Sequence, residues 1–227
     1  MTLTHARTRV ASSAGHTPRG AVLLTLAALT LAGCGSTTSS SLGAQVARAP
    51  DTAAGTTLLV AGPGPQRHYS VQPQPQPGTC HYRQEGRYPL PDPACTPGAV
   101  NPQVTQDNLA STICRSGFTS QIRPPSSVTG HEKVANALAY GYTGSTRTGE
   151  YDHLISLELG GDPNDPRNLW VEPNDRSGAT GTTNSKDGVE NAAHTAICHG
   201  RLTLREAQAG IASDWVALGH RLGIDLP

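Results

Sequence analysis

An aspartate–histidine pair in an apolar segment, followed by a glycine pair and a second apolar segment, is the feature that most constrains the fold of this chain. The pattern consists of residues 151–155, Gly160 with Gly161, and residues 168–170. It predicts a strand, a turn and a second strand that present Asp152 and His153 side by side. A carboxylate can hold a divalent cation, and an imidazole can take a proton near neutral pH. The pattern therefore indicates a hydrolase that uses metal-assisted attack by water.

The N-terminus predicts where the protein works. Arg7, Arg9 and Arg19 precede an apolar run over residues 21–31, which is too short to span a membrane but has the length of a secretory h-region. The run ends in Leu-Ala-Gly-Cys, which resembles the lipobox of bacterial lipoproteins. Residues 1–33 are thus predicted to be a signal peptide and Cys34 a lipidated residue that anchors an exported protein to the outer face of the cell membrane. Ordinary cleavage that leaves Cys34 as a free thiol is the alternative.

Four other cysteines remain in the chain: Cys80, Cys95, Cys114 and Cys198. An even number of cysteines in an exported protein indicates two disulfide bonds. Three connectivities are open, and the preferred one joins Cys80 to Cys95 and Cys114 to Cys198. A four-cysteine zinc site is the alternative, although the chain has no CxxC pair and its cysteine spacings are irregular.

Composition divides the mature chain into a tether and a domain. Residues 35–78 are mostly Ser, Thr, Gly, Ala and Pro, and they end in an alternation of Gln and Pro over residues 72–77. Such a segment has few large apolar side chains, so residues 34–79 are predicted to be a disordered tether. Residues 80–227 have the length of one domain. With one Phe and two Trp the domain has a modest core, for which disulfide support matters.

Charge does not favour a nucleic-acid partner. The whole chain is balanced, with 17 basic and 17 acidic residues, and loss of Arg7, Arg9 and Arg19 with the signal peptide leaves 14 basic residues and a net charge of −3. Bulk electrostatics and the absence of a basic stripe therefore argue against tight non-specific binding to duplex DNA. A nuclease of this charge would depend on a local positive site made by a bound cation and a few arginines.

Capping residues predict four helices in the domain. Thr105 is expected to cap a short helix that runs toward Cys114, and Thr129 is expected to cap another that stops at Gly141. Residues 186–198 are predicted to form a third helix, ended by Gly200.

A fourth helix is predicted from a capping box between Thr203 and Glu206. The apolar residues of the last two helices recur at helical spacing and are expected to be core: Val189, Ala193, Ile197, Leu204, Ala207, Ile211, Trp215 and Leu218.

The order of Asp152-His153, Gly160-Gly161, Asn168-Leu169 and a helix bearing His194 resembles the ββα-metal module of HNH endonucleases over residues 150–198. A wider set of motifs is similar to exported bacterial proteins that carry an HNH-like domain: PDPACTPG (91–98), VTQ (104–106), TIC (112–114), DHLISLELGG (152–161) and NLW (168–170). The resemblance implies an α+β fold, a small helical domain built around a ββα-metal hairpin-helix module and supported by disulfides.

The resemblance also implies a role for each matched residue. His153 matches the histidine that activates water, and a backbone carbonyl is expected to hold its second ring nitrogen. Asp152 matches the metal carboxylate. Asn168 matches the central asparagine, which holds the loop between the strands. One divalent metal ion is expected; oxygen ligands suit Mg²⁺, and a nearby imidazole would also admit Zn²⁺, Mn²⁺ or Ni²⁺.

The helix ligand that closes the metal site is less fixed by the pattern. A Gly-, Thr- and Asn-rich insertion over residues 172–185 separates Asn168 from the helix, so the register cannot be counted. His194 is ranked first, Glu190 second and Asn191 third, because the three can share one helix face. Arg167, Arg176 and Lys186 are near the motif and are candidates to orient a phosphate backbone.

These parts predict a metal-dependent endonuclease, expected to be monomeric, that hydrolyses phosphodiester bonds of nucleic acid, with DNA favoured, outside the cytoplasm. His153 would take a proton from water, and the products implied are a 5′-phosphate and a 3′-hydroxyl. Two alternatives remain open. One is a surface-anchored binding or structural lipoprotein without activity, and the other is a hydrolase of a different phosphate ester.

Overall fold

The computed structural model describes residues 59–175 and 184–226, which belong to one unit, Pro50–Pro227. The signal peptide and Cys34 lie outside the described residues. Four short strands come before the first helices, and a separate strand pair comes before the last two, so the fold is α+β as expected from the sequence.

The strand pair expected around Asp152 is present. Strand β5 (Glu150–His153) pairs antiparallel with β6 (Leu169–Glu172), and the register places Asp152 opposite Trp170 and His153 opposite Leu169. Strand β5 ends two residues before the first apolar segment does, and β6 extends two residues beyond the second. Residues 154–168 do not form a tight turn but a folded loop that contains two 3₁₀ turns, Leu157–Leu159 and Pro166–Asn168.

The helices that follow the hairpin form as predicted. Helix α3 (Ser185–Cys198) packs against the loop after β5, and α4 (Leu204–Arg221) packs along α3. The capping box between Thr203 and Glu206 is present. The predicted apolar stripe of the two helices is buried: Val189, Ala193, Ile197, Leu204, Ala207, Ile211, Trp215 and Leu218.

The helices before the hairpin differ from expectation at their starts. Thr105 caps a 3₁₀ helix, Gln106–Ser111, rather than an α-helix, and a short helix α1 (Phe118–Ile122) follows it. Helix α2 (Ser126–Ala139) begins three residues before Thr129, directly after a pair of prolines that disfavour helical backbone in the residue before them. The side chain of Asn136 in α2 accepts a hydrogen bond from Val171 N at 2.8 Å, which fastens this helix to β6.

Four further short strands complete the described fold. Strand β1 (Val60–Ala61) runs parallel to β4 (Ala99–Val100), and β2 (Arg83–Glu85) forms a hairpin with β3 (Tyr88–Leu90).

Two disulfides close loops of very different length. Cys80 pairs with Cys95 across 15 residues, and Cys114 pairs with Cys198 across 84 residues, with Cα–Cα distances of 5.9 Å and 5.7 Å. This is the connectivity preferred from the sequence. The second bond ties the end of α3 to the segment before α1.

The predicted tether needs a correction, because its last part packs on the domain. Strand β1 lies within it, the Tyr69 hydroxyl donates to Ile122 O at 2.5 Å, and Gln72 N donates to a carboxylate oxygen of Glu132 at 2.7 Å. The composition argument was wrong for residues 59–79. A segment without a core of its own can still be ordered when a finished domain supplies partners for its backbone groups.

In the described ranges, 59–175 and 184–226, no helix is both long enough and apolar enough to cross a membrane.

Candidate functional site

The loop between β5 and β6 is held by the side chain of Asn168. Its Oδ1 accepts from Ile155 N at 3.0 Å and from Ala99 N at 3.3 Å, while its Nδ2 donates to Ile155 O at 3.0 Å and to Asp162 O at 2.9 Å. The residue is fully buried. All four contacts are to backbone groups, so the side chain of Asn168 organises the loop.

Gly161 makes the close packing of this loop possible. A Cβ at this position would lie 1.7 Å from Ile155 O and 2.8 Å from Asn168 Nδ2. Its neighbour Gly160 has a φ of 74°, in the left-handed region that glycine adopts without strain. Gly161 is therefore needed because a Cβ does not fit at its position, and Gly160 is needed because its backbone is left-handed.

The imidazole of His153 is held by a backbone carbonyl. Its Nε2 lies 2.9 Å from Pro163 O, and the side chain is almost entirely buried, with 6% exposure. Because a carbonyl oxygen only accepts, Nε2 carries the proton and Nδ1 keeps the lone pair. Within the described structure, no residue is hydrogen-bonded to Nδ1. Burial lowers the pKa of His153 to about 4, so the ring is neutral at pH 7.

The carbonyl that holds His153 is itself fixed by Asp162. The carboxylate of this fully buried aspartate accepts from Asn164 N at 3.0 Å, Asp165 N at 2.8 Å and Gly64 N at 2.7 Å. The first two contacts fold the chain around Pro163 into a tight turn, and the third ties that turn to the segment before β2. Three N–H donors to one carboxylate make the turn rigid, and with it the orientation of the imidazole.

Lys186 forms the electrostatic centre next to His153. Its ammonium donates to Asp152 Oδ2 at 2.5 Å, to His153 O at 2.9 Å and to a carboxylate oxygen of Glu190. Burial by itself would lower the pKa of Lys186, but Asp152, Glu190 and Glu172 raise it well above its usual value. The lysine is 1% exposed and its ammonium is bonded to protein oxygens, so it is not free to orient a phosphate backbone.

Carboxyl groups outnumber the single ammonium. Glu172 at the end of β6 is 1% exposed, and its Oε1 has no hydrogen-bond partner among the described residues. Burial and the nearby Asp152 raise the pKa of Glu172 well above its usual value. Burial is also the main reason why the pKa values of Glu190 and Glu150 rise to about 8. We call Glu150, Asp152, Glu172, Lys186 and Glu190 the acidic cluster.

His194, the first-ranked helix ligand, has a different set of neighbours. Its Nε2 lies 2.9 Å from Ile113 O and 3.4 Å from Cys198 Sγ, and its Nδ1 is 4.0 Å from a carboxylate oxygen of Glu158. His194 follows Glu190 by one helical turn, about 6 Å along the axis. At that position the Cys114–Cys198 disulfide brings Ile113 against the ring. The structure thus brings Glu190, but not His194, to the ammonium that Asp152 contacts.

Two of the three remaining candidates, Asn191 and Arg167, lie within the described structure. Asn191 is exposed, and its amide donates to Asp187 O within the same helix. Arg167 is paired with Asp165, the cap of the 3₁₀ turn before β6. Arg176 lies outside the described residues.

One group of potential metal ligands lies within 4.8 Å of each other in the part of the chain that the structure describes: Cys114, His194 and Cys198. Both of its cysteines are in a disulfide, so their sulfurs are not thiolate ligands. The acidic cluster does not bring three carboxylate or imidazole ligands within that distance. It is closed around an ammonium instead.

Sequence reasoning missed Glu150, Glu172 and the burial of Lys186. A signal was available for the helix pair, because Lys186 and Glu190 are four residues apart and share a helix face. Glu150 and Glu172 are direct partners in the β5–β6 register. That pairing could be read from the sequence only after the register of the hairpin was known.

No family model, no curated protein and no solved structure matches this chain.

Proposed function

We propose that this protein is a metal-dependent endonuclease of the HNH type, which hydrolyses phosphodiester bonds of nucleic acid, DNA in the first place, outside the cytoplasm. The observation that carries the proposal is the fixed position of the His153 imidazole, which is held through Nε2 and leaves Nδ1 to accept a proton. Pro163 O holds its Nε2 at 2.9 Å, and its backbone neighbour Asp152 supplies a carboxylate to the same strand end. Strands β5 and β6 with helix α3 are the elements that a ββα-metal module requires.

The oxygen atoms around the ammonium of Lys186 are of the type that a hard divalent cation binds. Two carboxylates, those of Asp152 and Glu190, and the carbonyl of His153 already surround a positive charge, and Glu172 adds a buried oxygen without a partner. Oxygen ligands of this type favour Mg²⁺ or Mn²⁺. Asp152 and Glu190 are the residues that would hold the ion. When bound, the ion would stabilise negative charge on the phosphate oxygens and on the departing ribose oxygen.

The chain's own residues supply the remaining steps. Nδ1 of His153 takes a proton from a water molecule, and the hydroxide that results attacks the phosphorus of the phosphodiester. The Pro163 carbonyl keeps the ring in the tautomer that can accept this proton. Asn168 and Asp162 keep that carbonyl in place, as positioning residues that do not touch the substrate. The products expected are a 5′-phosphate and a 3′-hydroxyl.

The location belongs to the same proposal. We infer an exported lipoprotein, cleaved before Cys34 and anchored in the membrane by its lipid. Two disulfides in the described domain support an oxidising compartment.

The closed acidic cluster favours a second candidate function. With Lys186 bonded to Asp152 and Glu190, the protein could have lost catalysis and act as a surface-anchored binding or structural lipoprotein. The nuclease and the inactive lipoprotein differ in the effect on activity that they predict for substitution of His153.

Plasmid cleavage by the full chain tests the proposal, with EDTA and then with Mg²⁺ or Mn²⁺ restored. We expect cleavage that EDTA abolishes, and a loss of at least about a hundredfold in His153→Ala, because the water loses its general base. His199→Ala is the matched control, since His199 is exposed at the end of α3. Equal rates for His153→Ala and the unaltered chain would exclude the nuclease. Turnover of bis-(p-nitrophenyl) phosphate with plasmid left intact would instead indicate a hydrolase of another phosphate ester.

A further inference from the structure

We infer that Lys186 is a resident cation of the acidic cluster: its ammonium occupies the place of a divalent ion, and that ion must displace it in order to bind. The inference rests on the metal site of the proposed function. It adds that metal affinity is set by competition with a side chain of the protein itself.

The first argument is the coordination of the ammonium. A lysine ammonium has three N–H donors, and all three are used here: on Asp152 Oδ2 at 2.5 Å, on His153 O at 2.9 Å and on Glu190. Two carboxylates and a backbone carbonyl are also the oxygen ligands that a hard divalent cation takes. The ammonium therefore occupies a small oxygen cage rather than a one-to-one salt bridge.

The second argument is an independent one, the buried Oε1 of Glu172, whose carboxyl group also has a side-chain hydrogen bond with Asp152. The side chain of Glu172 is only 1% exposed, and no described residue forms a hydrogen bond with its Oε1. Its electrostatic partners are Asp152, Lys186 and Glu190, so it faces the same cage. A buried oxygen without a donor costs free energy. A cation of higher charge in the cage would satisfy it.

The third argument is the charge of the acidic cluster. Four carboxyl groups, on Glu150, Asp152, Glu172 and Glu190, surround one ammonium. One positive charge cannot compensate all four carboxyl groups in their ionised form, and a divalent ion would compensate one more of them than the ammonium does. The lysine side chain is a flexible stem of four carbons, so its ammonium can leave the oxygen cage without movement of α3.

The competition can be measured by Mn²⁺ binding to the full chain without nucleic acid, by calorimetry and by electron paramagnetic resonance. Lys186→Met keeps the length of the stem and removes the charge. We expect it to bind Mn²⁺ at least about tenfold more tightly than the unaltered chain, because the repulsion between the ammonium and the ion is gone. Mn²⁺ should also raise the melting temperature of Lys186→Met more than that of the unaltered chain.

A second pair of proteins guards against a folding failure in Lys186→Met. Glu190→Gln and Lys186→Met/Glu190→Gln differ again only by the ammonium, so the two proteins offer the ion the same oxygen ligands. The double variant should bind Mn²⁺ at least about tenfold more tightly than Glu190→Gln. Circular dichroism and thermal unfolding establish that each protein used is folded.

Equal or weaker Mn²⁺ affinity in the lysine variants of both pairs overturns the inference, and so does a failure of all four proteins to bind Mn²⁺. Cleavage separates this result from the proposed function. EDTA-sensitive cleavage together with equal affinities leaves the nuclease and removes the competition. Tighter binding in Lys186→Met, with no cleavage by the unaltered chain, supports the resident cation and removes the nuclease.

Discussion

Asn168 and Ile155 are joined by two hydrogen bonds of 3.0 Å each, one in each direction: the side-chain Oδ1 of Asn168 accepts from Ile155 N, and its Nδ2 donates to Ile155 O. The contact joins the segment after β5 to the residue before β6. It explains why a loop of this length can place His153 reproducibly, since the two ends of the loop are bonded to each other.

Asn168→Asp is expected to destabilise the domain by roughly 2–4 kcal/mol, because a carboxylate cannot donate to Ile155 O or to Asp162 O and leaves both buried carbonyls without a partner. Urea unfolding followed by circular dichroism measures the change. Asn191→Asp is the control, since its amide is exposed and bonds only within α3. Equal effects of the two substitutions would show that the Asn168 clamp contributes little.

Gly161→Ala is expected to destabilise the domain severely or prevent folding, because the new Cβ would lie 1.7 Å from Ile155 O, a backbone atom that cannot move aside. The matched control is Gly188→Ala in helix α3, where nothing lies within 4 Å. That change should stabilise the protein by about 0.5–1 kcal/mol, since alanine loses less backbone entropy in a helix. Thermal unfolding of the two variants should therefore shift in opposite directions.

His153 should make the domain sensitive to mild acid. Its pKa is about 4 in the folded protein and 6.5 in the unfolded chain, so the unfolded state takes up a proton that the folded state refuses. The stability is fully present above pH 6.5 and is lost as the pH falls toward 4, by up to roughly 3 kcal/mol. Unfolding free energies of the unaltered chain and of His153→Gln, measured at pH 7.5 and 4.5, give the difference.

Between pH 7.5 and 4.5 the unfolding free energy of His153→Gln should shift in the stabilising direction relative to that of the unaltered chain, because the raised pKa values of Glu150 and Glu190 act in both proteins alike. His199→Gln is the control, because its ring is exposed. An acid dependence that His153→Gln leaves unchanged would contradict the buried neutral imidazole.

The two disulfides should contribute unequally to stability. Loop-closure entropy predicts about 3 kcal/mol for the bond across 15 residues, Cys80–Cys95, and about 4.5 kcal/mol for the bond across 84 residues, Cys114–Cys198. Denaturant unfolding of the two double Cys→Ser variants tests the order. Removal of Cys114–Cys198 should lower the midpoint more, and the reverse order would show that native-state contacts around Cys80 outweigh chain entropy.

The local elements of the domain could be predicted because their signals are local. A capping box of Thr203 with Glu206 fixes the start of α4, and the helical spacing of Ile211, Trp215 and Leu218 fixes the face that is buried. The apolar segments around His153 and Trp170 likewise indicated a strand pair.

The neighbours of the candidate site could not be predicted in the same way. Lys186 was expected only as a candidate to orient a phosphate backbone, because nothing local in the sequence indicates that its ammonium is buried. Its burial depends on Asp152, which is 34 residues away, and on the ammonium finding three oxygens at once. The proline-rich segment is a similar case, since its order depends on partners such as Glu132 and Ile122.

The sequence by itself determined the secondary structure of the hairpin and the last two helices, the even set of cysteines, and the adjacency of Asp152 and His153. Only the tertiary structure decided that His194 contacts Ile113 and Cys198, that Glu190 contacts the ammonium, and that Glu172 is left with an unpartnered oxygen. The physical reason is range. Capping and periodicity act over a few residues, whereas the environment of a charge is set by whatever the rest of the fold brings within a few ångströms of it.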